Sequence, residues 1–201
     1  NDVGVLPLPP YIRERVPDSE RYQTIYSREE GSIAAPTAGL HFTGRLMKRL
    51  QEKGAEIVFV TLHVGWDSFR PLTSVNPLKH QMHSEYWDLP EKSAQAINLA
   101  KQEGRRVISI GTTATRLLEN VALDQAGPPI FGGDGWADIF ITPGHSFRIL
   151  DGLVTNFHLP KSTLLMLTSA IAGKELLQHA YKHAVRANYR FYSFGDAMFI
   201  T

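Results

Sequence analysis

The chain has 201 residues, of which 43% are hydrophobic and 20% charged, and its formal net charge is +1. This composition is typical of a globular protein with its own core, organised as one domain or a modest pair. The near-zero charge excludes an overall basic field, so any nucleic-acid contact must come from local patches. The chain has no cysteine, which excludes disulfides, thiolate metal ligands and a thiol nucleophile and favours a reducing, cytoplasmic setting.

No secretion signal is predicted for the N-terminal part of the chain. It lacks an apolar segment with a basic flank, so no signal peptide is predicted, and the most apolar run, residues 162–173, is too short to cross a bilayer. Residues 1–36 hold five of the twelve prolines and are predicted to be a linker that wraps a surface. Because the chain opens at Asn1 without a methionine, we expect a fragment of a longer protein, without membrane contact, in which residues 37–201 form part of the domain that follows this linker.

The predicted elements begin with a helix over residues 42–54 and a strand over residues 57–64. The helix carries an apolar stripe and ends at Gly54. Its opposite face is basic, which fits a solvated surface or, alternatively, contact with RNA phosphate. The strand is almost continuously apolar and β-branched, as in a buried central strand, and His63 stands near its carboxyl end.

A loop of about 25 residues follows, which is long enough to indicate a functional segment. It contains His80, His83 and Glu85 within the sequence HQMHSEY. Their spacing fits no standard zinc site, so zinc is the weaker interpretation. Glu85 is interpreted as an acid, a base or the partner of a cation, and the alternative is an ordinary surface carboxylate.

Next come a helix over residues 90–103, a strand over residues 106–110 and a helix that begins directly in the sequence GTTATR. Free N–H groups at the start of a helix favour anions, so Thr112, Thr113 and Arg116 are candidates for holding a carboxylate or phosphate. A plain helix cap by one of the threonines is the alternative. The sequence is not a P-loop, because the lysine and the spacing are missing.

The last part of the chain is predicted to contain one more strand, over residues 138–142, and a hairpin around Asp151 and Gly152. Two helices, over residues 163–173 and 174–187, and an extended aromatic tail complete it.

The sequence TNFHLPKSTLLM lies between the predicted hairpin and the first of these two helices. It brings His158, Lys161 and Ser162 close to the N-terminus of an apolar helix. A histidine, a lysine and a hydroxyl at such a position predict a second anion site.

Alternating strands and helices predict an α/β fold, with a mixed, largely parallel sheet or a partial barrel and flanking helices. In such folds ligands bind outside the carboxyl ends of the strands. Four predicted turns lie at such ends, those at His63, Gly111, Thr142 and Thr155. We therefore expect one site for a ligand with an anionic part, where histidine or carboxylate supplies proton chemistry.

Several long motifs occur in order along the chain: GSIAAPTAGLHFT, TLHVG, MHSE, DGLVTNFHLPKSTLLML and YRFYSFGDAM. From about Leu6 to the C-terminus, the sequence resembles the S-adenosylmethionine:tRNA ribosyltransferase-isomerases of queuosine biosynthesis. Members of that family carry a further N-terminal portion and an inserted small β-barrel domain. We expect this chain to be the C-terminal part of their larger α/β domain, without the small one.

The resemblance implies that the ribosyl part of S-adenosylmethionine is transferred to 7-aminomethyl-7-deazaguanine at the tRNA wobble position and isomerised. The product is epoxyqueuosine, and adenine and methionine leave. The resemblance implies no metal and no cofactor beyond S-adenosylmethionine as co-substrate. The implied partners are S-adenosylmethionine and the tRNA anticodon loop, whose splayed bases stack on aromatic side chains. A cytoplasmic monomer is expected.

Such a reaction requires a base for a proton made acidic by the sulfonium, an acid for departing adenine and a neutral amine on the RNA base. His158 or His63 is the expected base, since imidazole titrates near neutrality. Glu85 or Asp196 is expected to face the sulfonium or the amine. The expected substrate-binding residues are Thr37, His41, Thr112, Thr113, Arg116, Asn156, Lys161 and Ser162.

The chain departs from the family pattern at Trp66-Asp67-Ser68, where members carry a small residue, glycine and threonine. This change places a carboxylate in a loop beside His63 and leaves open a different small-molecule enzyme. The other alternative is a chain that binds RNA or S-adenosylmethionine without turnover. For each site residue, a purely structural hydrogen bond also stays open.

Overall fold

The computed structural model describes residues 8–9, 11–12, 19–65 and 82–201. Trp66-Asp67-Ser68 and His80 therefore lie outside the described residues. Short 3-10 helices occupy Ser19–Tyr22 and Thr37–His41. The α-helices of the described residues are α1 (Gly44–Glu52), α2 (Glu91–Gln102), α3 (Gly111–Asp124), α4 (Thr163–Ala172) and α5 (Lys174–Arg186). The strands are β1 (Thr61–Leu62), β2 (Glu85–Leu89), β3 (Ile108–Ile110), β4 (Gly133–Ala137), β5 (Gly152–Asn156) and β6 (Ala197–Ile200).

These strands form two small three-stranded sheets, in the orders β1-β2-β4 and β3-β5-β6. The first sheet is antiparallel throughout. In the second, β3 pairs with β5 in parallel, and β5 pairs with β6 in antiparallel fashion. The mixed α/β class with flanking helices is confirmed, and the described strands form no closed barrel. Within the described ranges, the expected parallel character is limited to the pair of β3 and β5.

The strand predicted over residues 57–64 is much shorter in the structure. Only Thr61–Leu62 is paired, and Val58 and Phe59 before it are exposed. β1 lies at the edge of its sheet and bonds to β2 alone. An apolar, β-branched run therefore indicated a strand correctly, but not a central one buried on both faces.

The strand predicted over residues 138–142 is wrong, since β4 ends at Ala137 and these residues are irregular. β4 has the glycine-rich sequence GDGWA, which is atypical of a strand. Its glycine content has a packing reason. A Cβ built on Gly135 would come within 2.9 Å of the Trp87 ring on the neighbouring strand. This position must therefore have no side chain if the indole is to pack there.

The predicted hairpin around Asp151 and Gly152 is also wrong. Residues 147–150 form no strand, and β5 pairs instead with β3. Asp151 explains this pairing, because its N–H donates to Val107 O at 2.8 Å and its Oδ2 accepts from Val107 N–H at 2.8 Å. The pair of hydrogen bonds docks the start of β5 on the residue before β3.

The predicted helices are confirmed to within a few residues of their ends. Thr43 caps α1, because its side chain accepts from Leu46 N–H at 3.2 Å, and Gly54 follows the helix with a φ of +85°. Gly173 separates α4 from α5 with a φ of +80°, a value that glycine adopts without strain. Within the described ranges, no helix is long and apolar enough to cross a membrane.

The main core lies between the first sheet and helices α2 and α3. Leu89, Ile97, Leu117, Val121 and Ile149 are among its members, and each is almost completely buried. Burial of such a side chain stabilises the fold by about 1.5–3 kcal/mol. A smaller cluster of Ile141, Leu153 and Leu167 fixes α4 against the second sheet.

A buried carboxylate joins α3 to the segment that precedes β5. Glu119 is 0% exposed and accepts from the backbone N–H groups of Arg148 (2.9 Å), Ile149 (3.0 Å) and Leu150 (3.1 Å). His145 Nε2 lies 3.3 Å from the same carboxylate. The side chain thereby satisfies backbone donors that no sheet partner reaches, which explains why residues 147–150 hold their position without forming a strand.

We expect the change Glu119→Ala to lower the free energy of unfolding by about 3 kcal/mol or more, because it leaves buried N–H groups without acceptors. Glu119→Gln keeps one carbonyl oxygen and should cost less. Urea unfolding measures both. The control is Glu103→Gln, which removes an exposed partner of Arg105 and should change stability by less than about 1 kcal/mol. Equal effects of the Glu119→Ala and Glu103→Gln changes would show that the buried carboxylate is not the anchor.

Candidate functional site

A cavity of about 220 Å³ lies where the parallel strands β3 and β5 end. Its walls include the turn from β3 into α3, the residues that follow β5, and residues 34–38. Tyr11 and the tail residues Tyr192 and Ser193 also line it, as do Leu62, Val64 and Glu85 on the side of the first sheet. The cavity therefore occupies the position expected for a ligand in an α/β fold, at the carboxyl ends of strands.

The structure brings most of the predicted site residues together in this cavity. Eight of them line it: Glu85, His158, Thr37, Thr112, Thr113, Arg116, Asn156 and Ser162. Four do not: His63, His41, Lys161 and Asp196.

The turn from β3 into α3 depends on Gly111, which begins the helix with a φ of +87°. No side-chain hydrogen bond caps α3, so the alternative of a threonine cap is wrong. Thr112 and Thr113 lie in the first helical turn and line the cavity. The N–H groups of an uncapped first turn carry partial positive charge, which suits a carboxylate or phosphate.

Glu85 and Arg116 form a buried ion pair in the wall of the cavity, with exposures of only 4% and 6%. Glu85 Oε1 also accepts from Gly65 N–H at 3.0 Å, and Arg116 Nε donates to Ile139 O at 3.4 Å. Glu85 therefore pairs with the guanidinium of Arg116 and is not a surface carboxylate, and its expected role toward the sulfonium or the amine stays a prediction. In the part of the chain that the structure describes, no group of three or more metal-ligating side chains is assembled.

His158 lies just past β5 and is held at both its side chain and its backbone. Its Nε2 forms a hydrogen bond with Thr155 Oγ1 at 2.8 Å, and its N–H donates to the Tyr181 hydroxyl at 2.8 Å. Burial lowers the pKa of His158 to about 4, because desolvation disfavours the charged imidazolium. At neutral pH the ring is therefore uncharged and does not repel a cationic ligand.

Asn156, the last residue of β5, is fixed by two hydrogen bonds. Thr37 Oγ1 donates to Asn156 Oδ1 at 3.2 Å, and Asn156 Nδ2 donates to His41 Nε2 at 3.2 Å. His41 itself does not line the cavity, and this amide connects it to the site. The sequence predicted Thr37, His41 and Asn156 as binding residues, and the structure joins them in one hydrogen-bonded chain.

His63 lies outside the cavity, on the outer face of the first sheet. Its ring stacks on Tyr86 with centroids 5.7 Å apart, and its backbone N–H donates to Tyr86 O at 2.8 Å. A Cβ on Gly31 would lie 2.9 Å from the imidazole. These contacts give His63 a packing role between β1 and the preceding segment.

Lys161 and Ser162 occupy the turn before α4. Ser162 is the N-cap of α4, since its Oγ accepts from Leu165 N–H at 3.1 Å and donates to Leu159 O at 2.7 Å. Lys161 is exposed and has a φ of +56°. The lysine therefore stands at the surface beside the cavity rather than inside it.

Asp196 closes the turn that carries the aromatic tail. Its Oδ2 accepts from Arg190 N–H at 2.7 Å, and its Oδ1 lies 3.1 Å from the Arg190 guanidinium. The hydrogen bond from the Arg190 backbone, followed by that from its side chain, lowers the pKa of Asp196. Asp196 therefore holds the turn and does not enter the cavity.

Three further polar residues that shape the cavity were not predicted from the sequence: Tyr11, Tyr192 and Ser193. Ser193 Oγ forms hydrogen bonds with the Tyr11 hydroxyl at 2.7 Å and the Tyr22 hydroxyl at 3.0 Å. The motif YRFYSFGDAM contains two of the three, but no spacing rule marked them. Tyr11 lies in a proline-rich segment that carries no signal for a binding residue.

Comparison with known proteins gives consistent matches. The family model described as "Queuosine biosynthesis protein" matches residues 1–200. Over 200 residues, the chain is 54% identical to the S-adenosylmethionine:tRNA ribosyltransferase-isomerase of Natranaerobius thermophilus. It is 58% identical to the protein of that name from Desulfitobacterium hafniense. Both alignments cover 100% of this chain and 58% of the relative, so the chain spans little more than half the length of these relatives.

A solved structure also matches, that of the S-adenosylmethionine tRNA ribosyltransferase from Thermotoga maritima. The TM-score is 0.68 at 40% sequence identity, and the match covers 82% of this chain and 51% of the other. The family model covers almost the whole chain, and the strand-end cavity collects the residues that the motifs singled out. The chain belongs to the queuosine biosynthesis protein family.

Proposed function

We propose that the protein carrying this chain transfers and isomerises the ribosyl part of S-adenosylmethionine. The acceptor is 7-aminomethyl-7-deazaguanine at the tRNA wobble position, and the products are epoxyqueuosine-tRNA, adenine and methionine. The main support is the cavity at the ends of β3 and β5, which eight expected residues line. The names of the relatives at 54% and 58% identity support the same activity.

The charge balance of the cavity suits a sulfonium ligand. Glu85 and Arg116 neutralise each other, and burial keeps His158 uncharged at neutral pH. A cation can therefore enter without meeting an unpaired positive group among these side chains. The same neutral, desolvated surroundings favour the uncharged form of the attacking amine, which needs a free lone pair.

We assign His158 as the base of the reaction, since it lines the cavity and His63 does not. Its neutral imidazole has a lone pair available for a proton made acidic by the neighbouring sulfonium. The hydrogen bond between His158 Nε2 and Thr155 Oγ1 fixes the orientation of the ring. The hydrogen bond from the His158 backbone N–H to the Tyr181 hydroxyl holds the backbone that carries it. A base held in one orientation needs no reorganisation before proton transfer.

The anionic parts of the substrates are assigned to two places. The uncapped first turn of α3, with Thr112 and Thr113, is assigned to the methionine carboxylate. Lys161 is exposed beside the cavity and is assigned to a phosphate of the anticodon loop, as a point charge. His63 and Asp196 receive structural roles. The protein is proposed to act in the cytoplasm, where tRNA is available, and a monomer remains the expectation.

We expect His158→Gln to lower kcat about 100-fold, since general base catalysis contributes roughly 10²–10⁴-fold. The measurement is formation of epoxyqueuosine, with release of adenine, from S-adenosylmethionine and undermodified tRNA. His179→Gln is the matched control, because His179 lies exposed on α5.

Two results would contradict the proposal. Unchanged turnover in the His158→Gln protein removes this residue as the base. If the wild-type protein binds S-adenosylmethionine and tRNA but forms no product, the protein is a binder without turnover.

The pH dependence gives an independent test. The base must be unprotonated, and its lowered pKa of about 4 means that protonation begins only well below neutrality. We expect kcat/KM to show no loss from His158 between pH 7 and about pH 5. An unperturbed histidine would instead halve the rate near pH 6.5. An acid limb near pH 6.5 that disappears in the His158→Gln protein would contradict the buried, neutral state.

A further inference from the structure

The tail residues 189–196 form a tightly built turn whose role the site assignments leave unexplained. Tyr192 has a φ of +70°, a region that residues other than glycine occupy at an energetic cost. Arg190 and Asp196 lie near the two ends of the turn, and two hydrogen bonds join them. Asp196 N–H donates to Arg190 O, and Arg190 N–H donates to Asp196 Oδ2. A Cβ on Gly195 would lie 2.5 Å from Arg190 O. The backbone therefore fixes Tyr192 in a strained conformation.

The turn places Tyr192 next to the end of β5. Its N–H donates to Phe157 O at 3.0 Å, one residue beyond Asn156. Tyr192 lines the cavity, is only half-buried, and packs against the Tyr11 ring with centroids 4.9 Å apart. A fixed aromatic side chain with accessible surface in a cavity is the kind of group on which a planar base stacks.

Asn156 supplies a complementary polar edge. Its two hydrogen bonds, from Thr37 to Oδ1 and from Nδ2 to His41, occupy half of its capacity. One N–H and one Oδ1 lone pair remain. The remaining N–H can donate to N7 of adenine, and the remaining Oδ1 lone pair can accept from the N6 amino group.

We propose that Tyr192 and Asn156 form the subsite for the adenine of S-adenosylmethionine, with the purine face on Tyr192 and its N6/N7 edge on Asn156. This inference rests on the proposed function and deepens it. The same pairing excludes the RNA base, because 7-deazaguanine has carbon in place of N7 and carries the aminomethyl group there. Asn156 thereby distinguishes the two nucleobases that the reaction must hold at once.

The first experiment measures the Kd of S-adenosylmethionine by calorimetry, without tRNA, on the protein carrying this chain. Tyr192→Leu removes the aromatic face and should raise Kd about tenfold, whereas Tyr192→Phe keeps the face and should change Kd by less than about twofold. Tyr189→Leu is the matched control, since Tyr189 lies in the same turn and does not line the cavity. It should leave Kd within about twofold.

Tyr192→Trp provides a second measurement if the leucine variant folds poorly. Its indole fluorescence should be quenched when S-adenosylmethionine is added, because the purine stacks on it. The face assignment is overturned if Tyr192→Leu binds S-adenosylmethionine as the wild type does, or if Tyr192→Leu weakens tRNA binding alone.

The edge assignment is tested by changing the ligand, which leaves folding untouched. An S-adenosylmethionine analogue with carbon in place of adenine N7 should bind the wild type about tenfold more weakly. In the Asn156→Ala protein, the two ligands should bind equally. Equal Kd values for both ligands in the wild type overturn the assignment.

These outcomes are separate from a failure of the proposed function. The wild type could form no epoxyqueuosine and still bind S-adenosylmethionine more tightly than the analogue with carbon in place of adenine N7. That result overturns the proposed reaction and supports the subsite. A wild type that does not bind S-adenosylmethionine at all overturns both.

Discussion

The parallel pairing of β3 and β5 is the constraint on which the rest of the site depends. The register that opposes Ile110 and Val154 brings the carboxyl ends of both strands to the same edge of the sheet, although β5 continues to Asn156. The chain then turns at Gly111 into α3 and at Phe157 toward α4, and the two exits leave the cavity between them. Two hydrogen bonds between Asp151 and Val107, one between the backbones and one to the Asp151 carboxylate, hold the same register from the other end of the pair.

Electrostatic neutrality is the second property that the fold imposes on the site. Arg116 is buried, and an unpaired guanidinium there would carry a large desolvation cost, so its partner Glu85 is as much a structural need as a chemical one. Burial acts on His158 in the same sense by keeping its ring uncharged. A cavity whose side-chain charges cancel leaves the charge of the proposed sulfonium ligand as the dominant local field.

Local chemistry made much of the fold predictable from the sequence. Helices α1 to α5 follow from apolar spacing and from stops such as Gly54, Gly104 and Gly173. The strand errors arise where tertiary contacts override local pattern. GDGWA becomes a strand because Gly135 makes room for Trp87, and residues 147–150 are fixed by Glu119 instead of by a sheet.

The site was predictable to a similar extent. Residues at or just after strand ends, such as Asn156 and Thr112, could be placed because the end of a strand is readable from sequence. His63 also follows a strand, but it lies outside the cavity that its neighbours Leu62 and Val64 line, because successive side chains of an extended segment lie on opposite faces of the sheet. Tyr192 lies in a turn and Tyr11 in a proline-rich segment. The direction of the backbone in such segments depends on contacts that are distant in sequence. The division of the chain at residue 36 stays a prediction, although Ala34 and Thr37, on either side of it, line one cavity.

The hydrogen bonds of Ser193 affect the order in which parts of the molecule fold. Its hydroxyl group bonds to Tyr11 and Tyr22, and the first of these partners lies 182 residues away in the chain. Contacts so distant in sequence carry a large loop-closure entropy and form late in folding. During synthesis on the ribosome, Tyr11 and Tyr22 cannot make these contacts until Ser193 has emerged, and this wall of the cavity cannot close before then. A nascent chain therefore acquires its helices well before it acquires a finished pocket.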